Sequence, residues 1–282
     1  VLFRSIAGGW FVTADNVPCN NIGRWNGATW EPLAEGTDGT VFALTVCAGE
    51  LVAGGQFARA SGAGCNCLAR WDGGGWHPLS TGFDASIRAV CASGGVLFAG
   101  GDFVGAPDGV ICNGVGQWDG RAWQPLDSGT DGPVRAITEY DGDIVIGGQF
   151  VTAGSATCNS ISRWNGSAWE PLGGGMTHPE FAACVNAMIV YEGELIAAGL
   201  FAAADGVPCN NIARWNGTTW QPLGEGIGGP VYDLAVYHDE LGVGGDFGSA
   251  GGVAVTSIAR CNGEKGQWQA AGGVGLIAAV KA

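Results

Sequence analysis

Short apolar runs along this chain alternate with glycine- and asparagine-rich breaks, and they recur on a fixed beat. Residues 231–236 are apolar or alternate and predict a first strand; a tight turn at His238-Asp239-Glu240 leads into a second strand over 241–247. A polar loop over 248–256 precedes a third strand starting at Ile258, and in the copy before it that third strand is Ile212-Ala213-Arg214-Trp215. Asn216-Gly217 reads as a two-residue hairpin of type I′, which wants positive φ at both positions. Residues 220–223 read as a fourth strand, where Pro222 is tolerated because an outer strand has an unpaired side.

The same phrase, roughly N-x-I-A-R-W-N-G-x-x-W-x-P-L-G, V-x-A-L, L-x-A-G-G-x-F, is written six times. Its first tryptophan falls at Trp25, Trp71, Trp118, Trp164 and Trp215, with Cys261 in the sixth place, at gaps of 46, 47, 46, 51 and 46 residues. A period of this length built from short strands and tight turns signals a repeat architecture. The distance from Cys261 to the C-terminus and on from Val1 to Trp25 is again 46. The phase agrees: Ile277-Ala278-Ala279-Val280 matches Val41-Phe42-Ala43-Leu44, and Ile6-Ala7-Gly8-Gly9-Trp10-Phe11 matches Val52-Ala53-Gly54-Gly55-Gln56-Phe57. Closure of a ring requires such a count, because it removes exposed sheet edges. The expected fold is all-β: a six-bladed β-propeller of four-stranded blades, one domain over residues 1–282, its N- and C-termini sharing a blade. Val1-Leu2-Phe3-Arg4-Ser5 looks like a translated sequencing adapter, with Ser5 where other copies carry Leu51, Leu97, Ile144, Leu195 and Leu241. If those five residues are foreign, the native chain extends further and the integer count is partly coincidence.

Composition narrows the classes. At 282 residues the chain buries roughly three-quarters of its unfolded surface and needs no disulfide staples to fold. Its 53 glycines recur in phase with apolar runs, so they mark turns and close packing. No apolar stretch is long enough to span a membrane, and no signal peptide is visible. A net charge of −14 repels a phosphate backbone, which argues against nucleic acid as a partner. Such a balance suits an extracellular or cell-surface protein, and also a cation-binding one.

Cys19, Cys65, Cys112, Cys158 and Cys209 sit six residues before the repeat tryptophan, and Val255 takes that place in the sixth copy. The expectation is a small buried residue at a strand start, since valine substitutes for a buried thiol. Pairing of this set with Cys47, Cys67, Cys91 or Cys184 stays open. Cys65-x-Cys67 lacks the spacing of a zinc site and no second pair follows.

The Trp215–Trp220 pair straddles its hairpin and is expected to fill the gap between blades, with each indole N–H reaching a partner. The Gly-Gly before Phe is expected to let neighbouring backbones approach closely. Val52-Ala53-Gly54-Gly55-Gln56-Phe57 together with Leu68-Ala69-Arg70-Trp71-Asp72-Gly73 resembles the repeats of kelch-like and bacterial surface β-propellers, over nearly the whole chain. Ala198-Gly199, Gln117 and Cys261 depart from that pattern. The resemblance implies a propeller fold and leaves function open, because propellers host many activities. The family includes copper radical oxidases, which need two tyrosines, two histidines and a cysteine; His77, His178 and His238 fall at different repeat positions and are not expected to converge.

Three features break the repeat on the loop side. The long gap before Trp215 places extra residues near Met176-Thr177-His178-Pro179-Glu180-Phe181. The variable residue inside Gly-Gly-x-Phe is Trp10, Gln56, Asp102, Gln149, Leu200 or Asp246. Acids recur in loops at Asp15, Asp108 and Asp205, and opposite them at Glu35, Asp38, Asp127, Asp131 and Glu225. Several carboxylates in loops suit calcium, but no D-x-D-x-D-G loop is present, so no cofactor is expected beyond that. No G-x-S-x-G, H-E-x-x-H or P-loop motif appears, and the Asn165 and Asn216 sequons read first as turns. The expected function is a non-catalytic, monomeric binding scaffold for a glycan or protein. Its expected ligand-binding residues are Trp10, Gln56, Asp102, Gln149, Asp246, Met176, His178 and Glu180. The alternative is a carbohydrate-active propeller enzyme with acids converging at the channel mouth.

Overall fold

The structure, a computed structural model, describes residues 5–262 and 266–271. The chain divides into two compact units at Gly129/Thr130. Every sheet in both is antiparallel, its strands ordered as they follow along the chain.

Among the described residues the first unit holds three principal sheets beside two small two-stranded ones. The first is Ser5–Gly8, Ile22–Trp25 and Trp30–Pro32. The strand expected to complete it, at Ile277-Ala278-Ala279-Val280, lies outside the described residues. The second is Thr40–Cys47, Glu50–Gln56, Leu68–Trp71 and Trp76–Pro78, and the third Ile87–Ser93, Val96–Gly101, Val115–Trp118 and Trp123–Pro125. Ser5 pairs with Trp25 as Leu51 pairs with Trp71, so it occupies the predicted repeat position.

The second unit holds three four-stranded sheets. They are Val134–Tyr140, Asp143–Gly148, Ile161–Trp164, Trp169–Pro171; Cys184–Tyr191, Glu194–Leu200, Ile212–Trp215, Trp220–Pro222; and Val231–Tyr237, Glu240–Gly245, Ile258–Asn262, Trp268–Ala270. Among the described residues there is no α-helix, and no helix long and apolar enough to cross a membrane.

The hairpins correct the sequence reading. At Asn216-Gly217 only the glycine has positive φ, at 98°, and Trp215 pairs with Trp220. The asparagine stands before the turn, its Oδ1 accepting the N–H groups of Thr218 and Thr219 at 3.0 and 2.9 Å. Gly at the first central position is the type II′ pattern. Type I′ backbone sits at the other hairpin instead: Ala48-Gly49, Gly94-Gly95, Asp141-Gly142, Glu192-Gly193 and His238-Asp239 all have positive φ at both positions. The long second-to-third loops are also more regular than expected. Most fold into a small hairpin of their own, such as Arg59–Ala60 with Ala63–Gly64 or Ser249–Ala250 with Val253–Ala254.

Three repeated devices hold neighbouring sheets together. Trp76, Trp123, Trp169 and Trp220, the second of each pair, are buried while their partner tryptophans are half-buried; Trp268 is buried too, opposite the buried Cys261. The indole N–H of Trp76 donates to the carbonyl of Leu33, Trp220 to Leu172 and Trp268 to Leu223, at 3.0, 2.8 and 3.2 Å, each reaching the preceding sheet. Trp123 has no such acceptor. The first glycine of the doublet admits the next sheet: a methyl at Gly54 would come within 2.6 Å of Ile87. The third device is local. Each residue of the Cys19, Cys65, Cys112, Cys158 and Cys209 set is fully buried, and the asparagine after it adopts positive φ. The amides of Asn20, Asn66, Asn113, Asn159 and Asn210 donate to carbonyls fifteen residues downstream, at Glu35, Thr81, Ser128, Gly174 and Glu225. All ten cysteines are described and none forms a disulfide. Burial pushes the Cys112 thiol up to about 11.

Candidate functional site

Three of the loop acids, Asp38, Asp131 and Asp205, are committed to backbone. Asp38 accepts the N–H groups of Ala58 and Arg59 at 2.8 and 2.9 Å, and Asp131 those of Val151 and Thr152 at the same two distances. Burial pushes the Asp131 carboxyl up, but the N–H donors of Thr152 and Val151 outweigh it and hold the group below its ordinary range. Asp15, Asp108, Asp127 and Asp205 are turn residues at positive φ, and Asp205 also accepts the Gly174 N–H at 2.9 Å. Among the described residues no three His, Cys, Asp or Glu side chains gather as a metal site would require. The histidines have separate local partners: His77 a 2.8 Å hydrogen bond with Asp72, His178 the ring of Phe181, and His238 a stack on Tyr237.

The variable Gly-Gly-x-Phe residues face solvent. Trp10 (88% exposed), Gln56, Asp102, Gln149 and Asp246 are exposed and Leu200 is half-buried, whereas the following phenylalanines from Phe57 onward are buried. Trp10, Gln56 and Asp102 lie in the first unit, the others in the second.

Beside each of these positions the sequence reading missed a second one. In five sheets the pairing of the first two strands slips at one residue: Phe42, Arg88, Arg135, Asn186 and Tyr232. Each is the x of V-x-A-L or its equivalent. A β-bulge leaves the extra residue outside the ladder and re-aims its side chain. The signal was present: Val41, Ala43 and Leu44 are all buried, a spacing strict alternation cannot give.

Bulge and variable residue interact across the strand pair. Arg88 Nε lies 2.8 Å from both carboxylate oxygens of Asp102, and its guanidinium sits 5.3 Å from the centroid of the Phe42 ring. In the second unit Arg135 Nη1 donates to Asn186 Oδ1 at 3.0 Å, and Nη2 makes a long 3.4 Å contact with Gln149 Oε1. Asn186 in turn donates to the carbonyl of Val231 at 2.8 Å.

Gln149 also lines a cleft of about 280 Å³, whose other walls include Asp131, Asn159, Thr177, His178 and Phe181. The insertion forms this cleft. Met176–Thr177 pairs with Ala203–Ala204, and the chain then folds back so that His178 Nδ1 accepts the N–H groups of Glu180 and Phe181 at 3.2 and 3.3 Å. The imidazole packs 4.9 Å from the Phe181 ring, which is 59% exposed. Of the sequence candidates, the cleft gathers Gln149, Met176 and His178. Met176 belongs to its floor, buried in the core with Leu172 and Phe201. Glu180 is exposed and outside the lining, as is Asp246. Thr177 and Phe181 were named only as part of the insertion and Asn159 was not singled out, because only the fold brings them opposite Gln149.

No protein-family model matches the chain, and no curated protein matches it in sequence. Solved structures share its fold. The crystal structure of the computationally designed Ika8 protein is similar at 18% identity with a TM-score of 0.54, covering 94% of this chain and 73% of that one. A chain of the Mitotic Checkpoint Complex is similar at 16% identity with a TM-score of 0.52; the match covers 80% of this chain and spans 65% of that one. At such identities the likeness speaks to fold alone, and with the repeated four-stranded sheets it makes this chain β-propeller-like.

Proposed function

We propose that this chain is a six-bladed β-propeller that binds, without transforming, a glycan ligand through its loop side, outside the cell or on its surface. Six phased repeats, each with its own sheet, support the blade count. The observation that carries the functional reading is the cleft of about 280 Å³ where the insertion sets the exposed Phe181 ring among Gln149, Asn159, Thr177 and His178. An aromatic face with a few convergent amide, hydroxyl and imidazole groups suits a sugar, which offers one apolar ring face and a rim of hydroxyls. The acids favour binding over hydrolysis. A glycosidase needs a carboxylic acid held up near neutrality. Here Asp131, the carboxylate that lines the cleft, is pushed up by burial but held below its ordinary range by the N–H groups of Thr152 and Val151.

A glycan-array screen of the purified chain, with and without calcium, tests this. Selective binding is expected, lost in Phe181→Ala and retained in Trp10→Ala. Absence of binding in both conditions, or binding indifferent to Phe181, would sink the reading.

A further inference from the structure

The repeat supplies its own comparison for one arginine. Arg88 and Arg135 occupy the same bulge position in successive copies, and the residue facing each across the strand pair is the variable one of Gly-Gly-x-Phe. Where Arg88 faces Asp102, the pair closes as a bidentate ion pair at 2.7–2.8 Å. Where Arg135 stands, the carboxylate is replaced by Gln149, and no described carboxylate takes its place. Arg135 is half-buried in a chain of net charge −14, held only by two amide oxygens, one at 3.4 Å. Its Nε is buried without any hydrogen-bond partner. A planar guanidinium is built to grip a carboxylate through two parallel N–H groups, and leaving such donors unmet is costly.

Arg135 is not itself among the lining residues, but Gln149 is both its weak partner and a wall of the cleft. A carboxylate arriving from the cleft would displace that long amide contact and complete the pair Asp102 makes internally one copy earlier. We infer that the ligand of this cleft is an acidic sugar, a uronate type, whose carboxylate is received by Arg135 while its ring lies against Phe181. The inference rests on the glycan reading above and adds the charge. The charged or titratable groups lining the cleft are Asp131 and His178. The Asp131 carboxylate is already engaged by the Val151 and Thr152 N–H groups. An acidic peptide fits less well, because the cleft strand Met176–Thr177 already spends the Met176 N–H on the Asn159 carbonyl, at 2.8 Å.

Calorimetric titration of the whole chain with trigalacturonate and with its fully methyl-esterified form tests this. The free acid is expected to bind at least tenfold more tightly than the ester. Gln149→Asp, which rebuilds the internal pair, and Arg135→Gln should each erase that preference, while Arg135→Lys should keep only part of it. Equal binding of acid and ester, unchanged in Gln149→Asp, would overturn the inference and leave the glycan cleft standing. Failure of both sugars to bind would overturn the inference, and Arg135-dependent binding of poly-aspartate alone would overturn both.

Discussion

The tryptophan latch can be weighed inside one unit. Trp76 and Trp123 are equivalent residues, 5% and 3% exposed, each packed on its partner tryptophan at 5.4 and 5.7 Å. They differ in their N–H groups: Trp76 donates to Leu33 at 3.0 Å, and the N–H of Trp123 is buried without an acceptor, while the Trp123 ring also meets Phe83 edge-on at 4.8 Å. Replacement by phenylalanine removes similar volume at both sites, so the packing costs largely cancel. At Trp76 it also removes a hydrogen bond, although the Leu33 carbonyl keeps the Gly36 N–H at 3.2 Å, so that loss is about 0.5–1.5 kcal/mol. At Trp123 it removes a donor that is already unsatisfied, which relieves about 1–3 kcal/mol. Trp76→Phe should therefore be less stable than Trp123→Phe by about 1.5–4.5 kcal/mol. With a urea slope of about 2 kcal/mol per molar, the midpoints differ by roughly 1–2 M. Urea titration followed by far-ultraviolet circular dichroism reads this directly. Midpoints that coincide, or a lower one for Trp123→Phe, would refute the latch.

Two further outcomes follow from the same geometry. Gly226 has φ of 78°, and a methyl there would lie 2.6 Å from the Asn210 carbonyl oxygen, whereas Gly217 at φ 98° has open space around it. Gly217→Ala should cost about 1–2 kcal/mol for backbone strain alone, and Gly226→Ala clearly more, seen as a lower thermal midpoint. The buried Cys112 thiol, raised from 9.0 to about 11, stays neutral in the fold after the unfolded chain has begun to ionise. Its contribution is complete below pH 9 and is lost as pH rises towards 11, so stability falls across that window. Cys112→Val, which copies Val255 of the sixth repeat, should flatten this fall in urea midpoints measured from pH 8 to 11.

The fold was legible where one residue does the same physical job in every copy. A tryptophan at fixed spacing fills the same volume each time, so the period, strand order and buried Cys/Val position could be read from the residues alone. Features that depend on a partner distant in sequence were not. Asn216-Gly217 looks like a type I′ pair, but its asparagine serves as an acceptor for two backbone N–H groups, and the dipeptide alone does not distinguish the two uses. The loop acids looked like cation ligands because Val151 and Thr152, which satisfy Asp131, lie some twenty residues away. The site was half legible. Gln149 and His178 stood out as variable or inserted, whereas Arg135 was hidden inside a strand pattern, since the bulge that turns it outward breaks an alternation the eye completes unaided.

The bulge also bears on how such a chain diversifies. In each of five sheets it frees one side chain beside the variable residue of the next strand, while Val, Ala, Gly and Phe around them carry the packing. Phe42 with Gln56, Arg88 with Asp102, Arg135 with Gln149, Asn186 with Leu200 and Tyr232 with Asp246 are five different chemistries on one backbone. Selection, or a mutagenesis library confined to those ten positions, can therefore rewrite recognition copy by copy without renegotiating the fold.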